Sequence, residues 1–94
     1  MRNFAHKGLR RLYQDNDPKG LPAACVDKLR KILAFLDAME DPGELRVIPA
    51  WKAHLMTGNR KGTWSVHVTR NWRLTFSIDQ VEREICNVNF EDYH

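Results

Sequence analysis

No apolar run in this sequence approaches the roughly 18 residues needed to cross a bilayer. Its start, Met1-Arg2-Asn3-Phe4-Ala5-His6-Lys7, has neither the apolar stretch nor the cleavage site of a secretory signal. Cysteine is scarce: Cys25 and Cys86 are the only two. They are too few for a disulfide scaffold and lack the paired spacing of a zinc site, so both are expected to be buried, reduced thiols. The histidines, His6, His54, His67 and His94, match no recognised metal spacing, and neither a metal nor another cofactor is expected. Internal repeats, low-complexity tracts and linkers are missing as well. What remains is a cytoplasmic, membrane-free chain, expected to form one domain over residues 1–94 with one core and a substrate site on its surface or in a shallow cleft.

The composition is that of a soluble globular protein, 43% hydrophobic and 29% charged, with a net charge of +3. The charge is unevenly placed. From Glu44 to Arg73, six basic residues stand against Glu44 alone, a local balance of +5. From Asp79 to Asp92, Arg83 stands against five acidic residues, a balance of −4. A basic middle that also holds His54 and His67 suggests a polyanion partner, although a solvated basic face would have the same composition.

The first half of the chain has helical periodicity. Leu9, Leu12 and Tyr13 recur at helical spacing, a turn-rich break follows at Asp15–Gly20, and Pro22 suits the first turn of a second helix. Val26, Leu29, Leu33, Leu36 and Met39 form that helix's apolar stripe, which Asp41-Pro42-Gly43 ends. The second half alternates. Trp64, Val66 and Val68, then Trp72, Leu74, Phe76 and Ile78, then Cys86, Val88 and Phe90 are separated by polar residues, as in antiparallel strands with one buried face. The expected fold class is therefore α+β, with two N-terminal helices packed on a mainly antiparallel β-sheet.

Parity fixes the hairpin. A two-residue turn would set Val68 against Arg73, mixing core and surface. A three-residue loop, Thr69-Arg70-Asn71, pairs Val68 with Trp72, Val66 with Leu74 and Trp64 with Phe76. It also puts Asn71 where a left-handed backbone is commonly required. On the other face His67 then lies opposite Arg73, and Asn87 and Asn89 of the last strand share that face. With the terminal Tyr93-His94, such a surface suits metal-independent RNA cleavage. That reaction needs a base for the 2′-hydroxyl, an acid for the 5′-oxygen and fixed positive charge around the phosphorane. Histidine carries protons near neutral pH, arginine binds phosphate bidentately, and Tyr93 can stack on a base. Plainer roles fit the same residues. His67 can be an exposed strand histidine, Arg73 can satisfy a cross-strand carboxylate, and Trp51, Trp64 and Trp72 can be packing residues.

Five stretches stand in order along the chain: Phe4-Ala5-His6-Lys7-Gly8-Leu9, Lys19-Gly20-Leu21-Pro22, Gly62-Thr63-Trp64-Ser65-Val66, Asn71-Trp72-Arg73-Leu74-Thr75-Phe76 and the closing Glu91-Asp92-Tyr93-His94. In these the chain resembles the HigB family of RelE-like toxins over nearly its whole length. The resemblance implies a microbial-RNase-like fold and a ribosome-dependent endoribonuclease, an mRNA interferase that cuts mRNA in the ribosomal A site. It also implies a helix-turn-helix, HigA-like antitoxin, through which alone operator DNA would be bound. By position it carries over His54, Asn71, Arg73, Asp92, Tyr93 and His94. His54 and His94 would transfer protons, Arg73 would stabilise phosphate charge, Asn71 would position the substrate or the hairpin, Tyr93 would orient the nucleotide, and Asp92 would orient a neighbouring base or the substrate.

Two positions depart from the family pattern: Thr57 and Thr69 stand where it often has Lys and Arg. Arg60, Lys61 and Arg70 lie close enough in sequence to supply charge to RNA in their place, together with His67. A relic of this fold that docks without cutting, and a general RNA-binding module, are the competing readings.

Overall fold

A computed structural model describes residues 1–93. Helix α1 spans Lys7–Asp15 and buries Gly8, Leu9 and Leu12. His6 caps it, its Nδ1 accepting the Leu9 N–H at 3.2 Å. Asn16 closes it in the left-handed conformation, φ 53°, a conformation that asparagine tolerates. Helix α2 spans Ala23–Ala38, with Pro22 one residue outside its first turn. The Val26, Leu29, Leu33 and Leu36 stripe is buried, as are Cys25 and Ile32 beside it. Past the helix, Asp41 starts a 3-10 turn over Pro42–Val47 with a capping box: its carboxylate accepts from Gly43 N–H, while Glu44 accepts from Asp41 N–H.

Strands β1 (His54–Leu55), β2 (Thr63–His67), β3 (Trp72–Ile78) and β4 (Ile85–Asp92) form one antiparallel sheet in the order β1-β2-β3-β4. The N-terminal segment adds a parallel bridge between Phe4 and Val88, so the sheet is mainly antiparallel. The short β1 has no periodic signal of its own, which is why alternation does not reveal it. Helices back one face of the sheet, where Leu9, Leu29, Ile32 and Leu36 join Val66, Leu74, Phe76 and Val88 in the core. Both cysteines are buried free thiols. The tryptophans pack on rings: Trp72 stacks on Phe90 with centroids 4.5 Å apart, Trp64 lies parallel to Phe76, and Trp51 meets Phe35 edge-on. Among the described residues, no helix is long and apolar enough to cross a membrane.

The hairpin register is the one that parity demands, with Trp64 paired to Phe76, Val66 to Leu74 and His67 to Arg73. Its turn differs from expectation. The Val68 and Thr69 N–H groups both donate to Trp72 O, at 3.0 and 3.1 Å, and Trp72 N–H returns to Thr69 O at 3.2 Å. The extra residue is thus taken up as a β-bulge at Val68–Thr69 ahead of a tight Arg70-Asn71 turn. Asn71 is not among the positive-φ residues. A second bulge corrects the expectation for β4. Between Thr75↔Asn89 and Ser77↔Cys86 the register slips by one, and Asn87 takes φ 54°. Asn89 stays on the polar face through its pairing with Thr75, but Asn87 turns to the N-terminal segment, where its side-chain oxygen accepts from the Asn3 amide at 3.0 Å.

Phe76 is fully buried where sheet and helices meet. Phe76→Ala is expected to lower the unfolding free energy by about 3–5 kcal/mol in urea titrations; a loss below about 1 kcal/mol would show that the helices do not seal this face.

Candidate active site

Two rows of side chains cross the polar face of the sheet. One runs His54–Ser65–Thr75–Asn89, and the next His67–Arg73–Glu91. Because directly paired residues share a face, strand pairing alone brings His54, His67 and Arg73 to one surface. Their outer end opens into a depression of about 640 Å³ lined by Lys52, His54, His67, Arg70 and Tyr93.

Tyr93 is held from three sides. Its N–H donates to Asn71 O at 3.1 Å, its hydroxyl lies 3.0 Å from His67 Nδ1, and the Arg73 guanidinium carbon is 5.4 Å from its ring centroid. Asn71 therefore acts on the tail through its backbone carbonyl. Tyr93 is still 42% exposed.

The position of His54 follows from backbone strain beside it. Lys52 adopts φ 44°, a left-handed conformation costly for a lysine, and its carbonyl lies 2.9 Å from His54 Nδ1. A carbonyl only accepts, so His54 Nδ1 carries a proton. In the neutral ring Nε2 then keeps its lone pair, the state required of a general base. His67 is held below the usual histidine range, first by burial and then by the Lys52 and Lys28 charges, which favours its uncharged form. Lys28 reaches this region from α2, its Nζ donating to Val68 O at 3.0 Å.

Beside the depression lies a carboxylate to which the sequence reading gave no role. Glu91 is gripped by the Arg60 fork, NH1 to Oε1 and NH2 to Oε2, both at 2.7 Å. The Thr75 hydroxyl donates to Oε2 as well. Arg73 NH2 stays 3.8 Å from Oε1, and the buried Arg73 Nε has no partner among the described residues. Arg60, aided by Thr75, holds the Glu91 carboxyl at about 2, against the opposing pull of burial.

The structure thus brings His54, His67, Arg70, Asn71, Arg73 and Tyr93 together. Asp92 pairs with Trp72, and strand alternation sets it on the face opposite Glu91 and Tyr93. Lys61 and Thr57 line a separate groove with Leu55, Met56 and Gly58, of about 370 Å³. Thr69 lies in the hairpin bulge. His94 lies outside the described residues. Lys52, Lys28 and Glu91 are additions that the sequence reading missed. Glu91 alone left a signal, because continuing the β4 alternation puts it opposite Arg73. Among the described residues, no group of three His, Cys, Asp or Glu side chains is placed to hold a metal ion.

Fold and face together define a class: a small α+β domain with helices behind an antiparallel sheet and a basic, histidine-bearing depression in front. Over residues 2–94 the chain matches the family described as the RelE-like toxin of type II toxin-antitoxin system HigB, and it belongs to that family. As such a toxin it has an antitoxin for a partner. It is 37% identical to Endoribonuclease HigB of Proteus vulgaris over 94 residues, 100% of this chain and 99% of that protein. It is 32% identical to Toxin HigB-1 of Vibrio cholerae over 74 residues, 78% of each chain. The fold is shared with YafQ of E. coli, with a TM-score of 0.58, 13% identity and coverage of 97% of this chain and 90% of that one.

The Glu91 clamp predicts an acid limb of stability. A carboxyl whose folded value is depressed stabilises the fold fully above its ordinary value of 4.5, and this contribution is lost as pH falls towards about 2. Integrated over that window it amounts to at most about 3 kcal/mol. Urea midpoints should therefore fall between pH 5 and pH 2, and should fall less in Glu91→Gln. Parallel pH profiles for the two proteins would show that the clamp contributes nothing.

Proposed function

We propose that this chain is a ribosome-dependent mRNA endonuclease that cuts in the A site and so inhibits translation. The observation that supports this most is the His54 ring. Its Nδ1–H is spent on Lys52 O, and its other nitrogen is left for a depression that also holds Arg70 and Tyr93. In the proposed reaction His54 Nε2 takes the 2′-hydroxyl proton, and the 2′-oxygen attacks the adjacent phosphorus. The bond to the 5′-oxygen breaks as His94 protonates it, leaving a 2′,3′-cyclic phosphate and a 5′-hydroxyl. Arg73 stabilises the charge building on the phosphorane. Tyr93, oriented by His67 and Arg73, stacks on the nucleotide.

Lys52, Arg70 and Asn71 border the RNA path, and Lys52 and Arg70 supply the basic charge that Thr57 and Thr69 lack. Lys61 meets RNA further along the same edge. Asp92, on the opposite side of β4, acts on the tail that carries His94 rather than on the phosphate. The antitoxin in this reading is a helix-turn-helix, HigA-like protein, and any operator DNA is reached through it. The setting is the cytoplasm, where ribosomes and mRNA are, with no membrane and no cofactor taking part.

Inducing the chain without an antitoxin, beside His54→Ala and His94→Ala, and mapping mRNA 5′ ends tests the reading. Growth arrest with new in-frame cuts is expected, reduced at least about 100-fold in either variant. A folded, soluble chain that gives neither arrest nor cuts would favour a toxin fold that binds without cutting.

A further inference from the structure

Arg60 and Arg73 approach the same carboxylate from two sides, and they are not equivalent. Arg60 spends both terminal nitrogens on Glu91, one per oxygen at 2.7 Å, in the bidentate geometry that guanidinium and carboxylate form best. Thr75 takes a further lone pair of Oε2. Arg73 stands off at 3.8 Å, beyond hydrogen-bonding distance, with its buried Nε unpartnered among the described residues and its guanidinium over Tyr93. A shift of about an ångström would bring Arg73 onto Oε1. The Arg60 fork already takes one lone pair of that oxygen and offsets the charge that would pull Arg73 in.

We propose that Arg60 serves the site without touching RNA: it occupies Glu91 and so leaves Arg73 available to a substrate phosphate. Arg60 and Glu91 are then positioning residues, and this assignment rests on the nuclease reading above. The charges are consistent with it. Arg60 and Glu91 sum to zero, so Glu91 draws less on the guanidinium of Arg73 than it would alone. Without Arg60, Glu91 would hold Arg73 and repel the incoming phosphate. The arrangement departs from the expectation that Arg60 binds RNA directly, and it accounts for an acidic residue on a face built for a polyanion.

A double-variant test separates the two. If Arg60 acts only by occupying Glu91, Arg60→Gln should lower ribosome-dependent cleavage by about tenfold or more. Adding Glu91→Gln should bring it back to within about threefold of the original protein. If Arg60 binds RNA itself, the double variant stays as low as the single and the proposal is overturned. Should Arg60→Gln not fold, Arg60→Lys replaces it. Lysine keeps the charge but cannot fork onto both oxygens, and Glu91→Gln should rescue it in the same way.

Titrating each protein with inorganic phosphate, followed by the arginine Nε–H resonances, reads the site apart from cleavage. The Arg73 signal should move in the original protein and the double variant, and stay still in Arg60→Gln. A response at Arg60, or none at Arg73, would overturn the proposal. If the original protein cuts no mRNA, the nuclease reading fails while the titration still decides the role of Arg60.

Discussion

A strand offers each side chain only two directions, and sequence neighbours take opposite ones. The hydrogen bonds at residues 68–72 therefore decide which side chains of β2 and β3 meet the helices. With Val68 and Thr69 both bonded to Trp72 O, Val66, Leu74 and Phe76 go to the core, and His67 and Arg73 go to the opposite face. One residue fewer in the bulge would set Val68 against Arg73 and put the apolar side chains of one strand on the same face as the polar side chains of the other. The same turn directs the Asn71 carbonyl to the backbone of Tyr93, so the constraint that sets the core also places the tail.

Electrostatics then sorts the polar face. Burial, Lys52 and Lys28 hold His67 below the usual histidine range, and the Lys52 carbonyl fixes the tautomer of His54. Arg60 and Thr75 hold Glu91 closely, Arg73 stands further from it at 3.8 Å, and Arg70 lines the depression. The face thus separates charges paired closely with one another from charges left more open, although both sets come from the same few residue types.

The α+β class, both helices and the β2–β3 register were legible in the sequence, because period and parity leave few solutions for Val66, Leu74 and Phe76. The form of the turn was not. A left-handed Asn71 and a bulge at Val68–Thr69 satisfy the same parity. Asn87 was misplaced because a bulge in β4 breaks the alternation at that residue. Residues 42–62 resisted reading, since 3-10 turns and a two-residue strand carry no period. Lys52 and the Arg60 end of the ion pair lie in that segment, and Lys28 acts from a different helix. Asp92 teaches the opposite lesson. Alternation along β4 already set it apart from Glu91 and Tyr93, and only the family resemblance grouped it with them.

Proton transfer through histidines, with the RNA's own 2′-hydroxyl as nucleophile, leaves a chemical mark on the cut ends. The most direct measurement is the chemistry of the new ends after the purified chain acts on ribosomes programmed with a defined mRNA. A 5′-hydroxyl on the downstream fragment and a 2′,3′-cyclic or 3′-phosphate on the upstream one are expected. A 5′-phosphate downstream would mean that water, not the 2′-hydroxyl, attacked, and would contradict the roles given to His54 and Arg73.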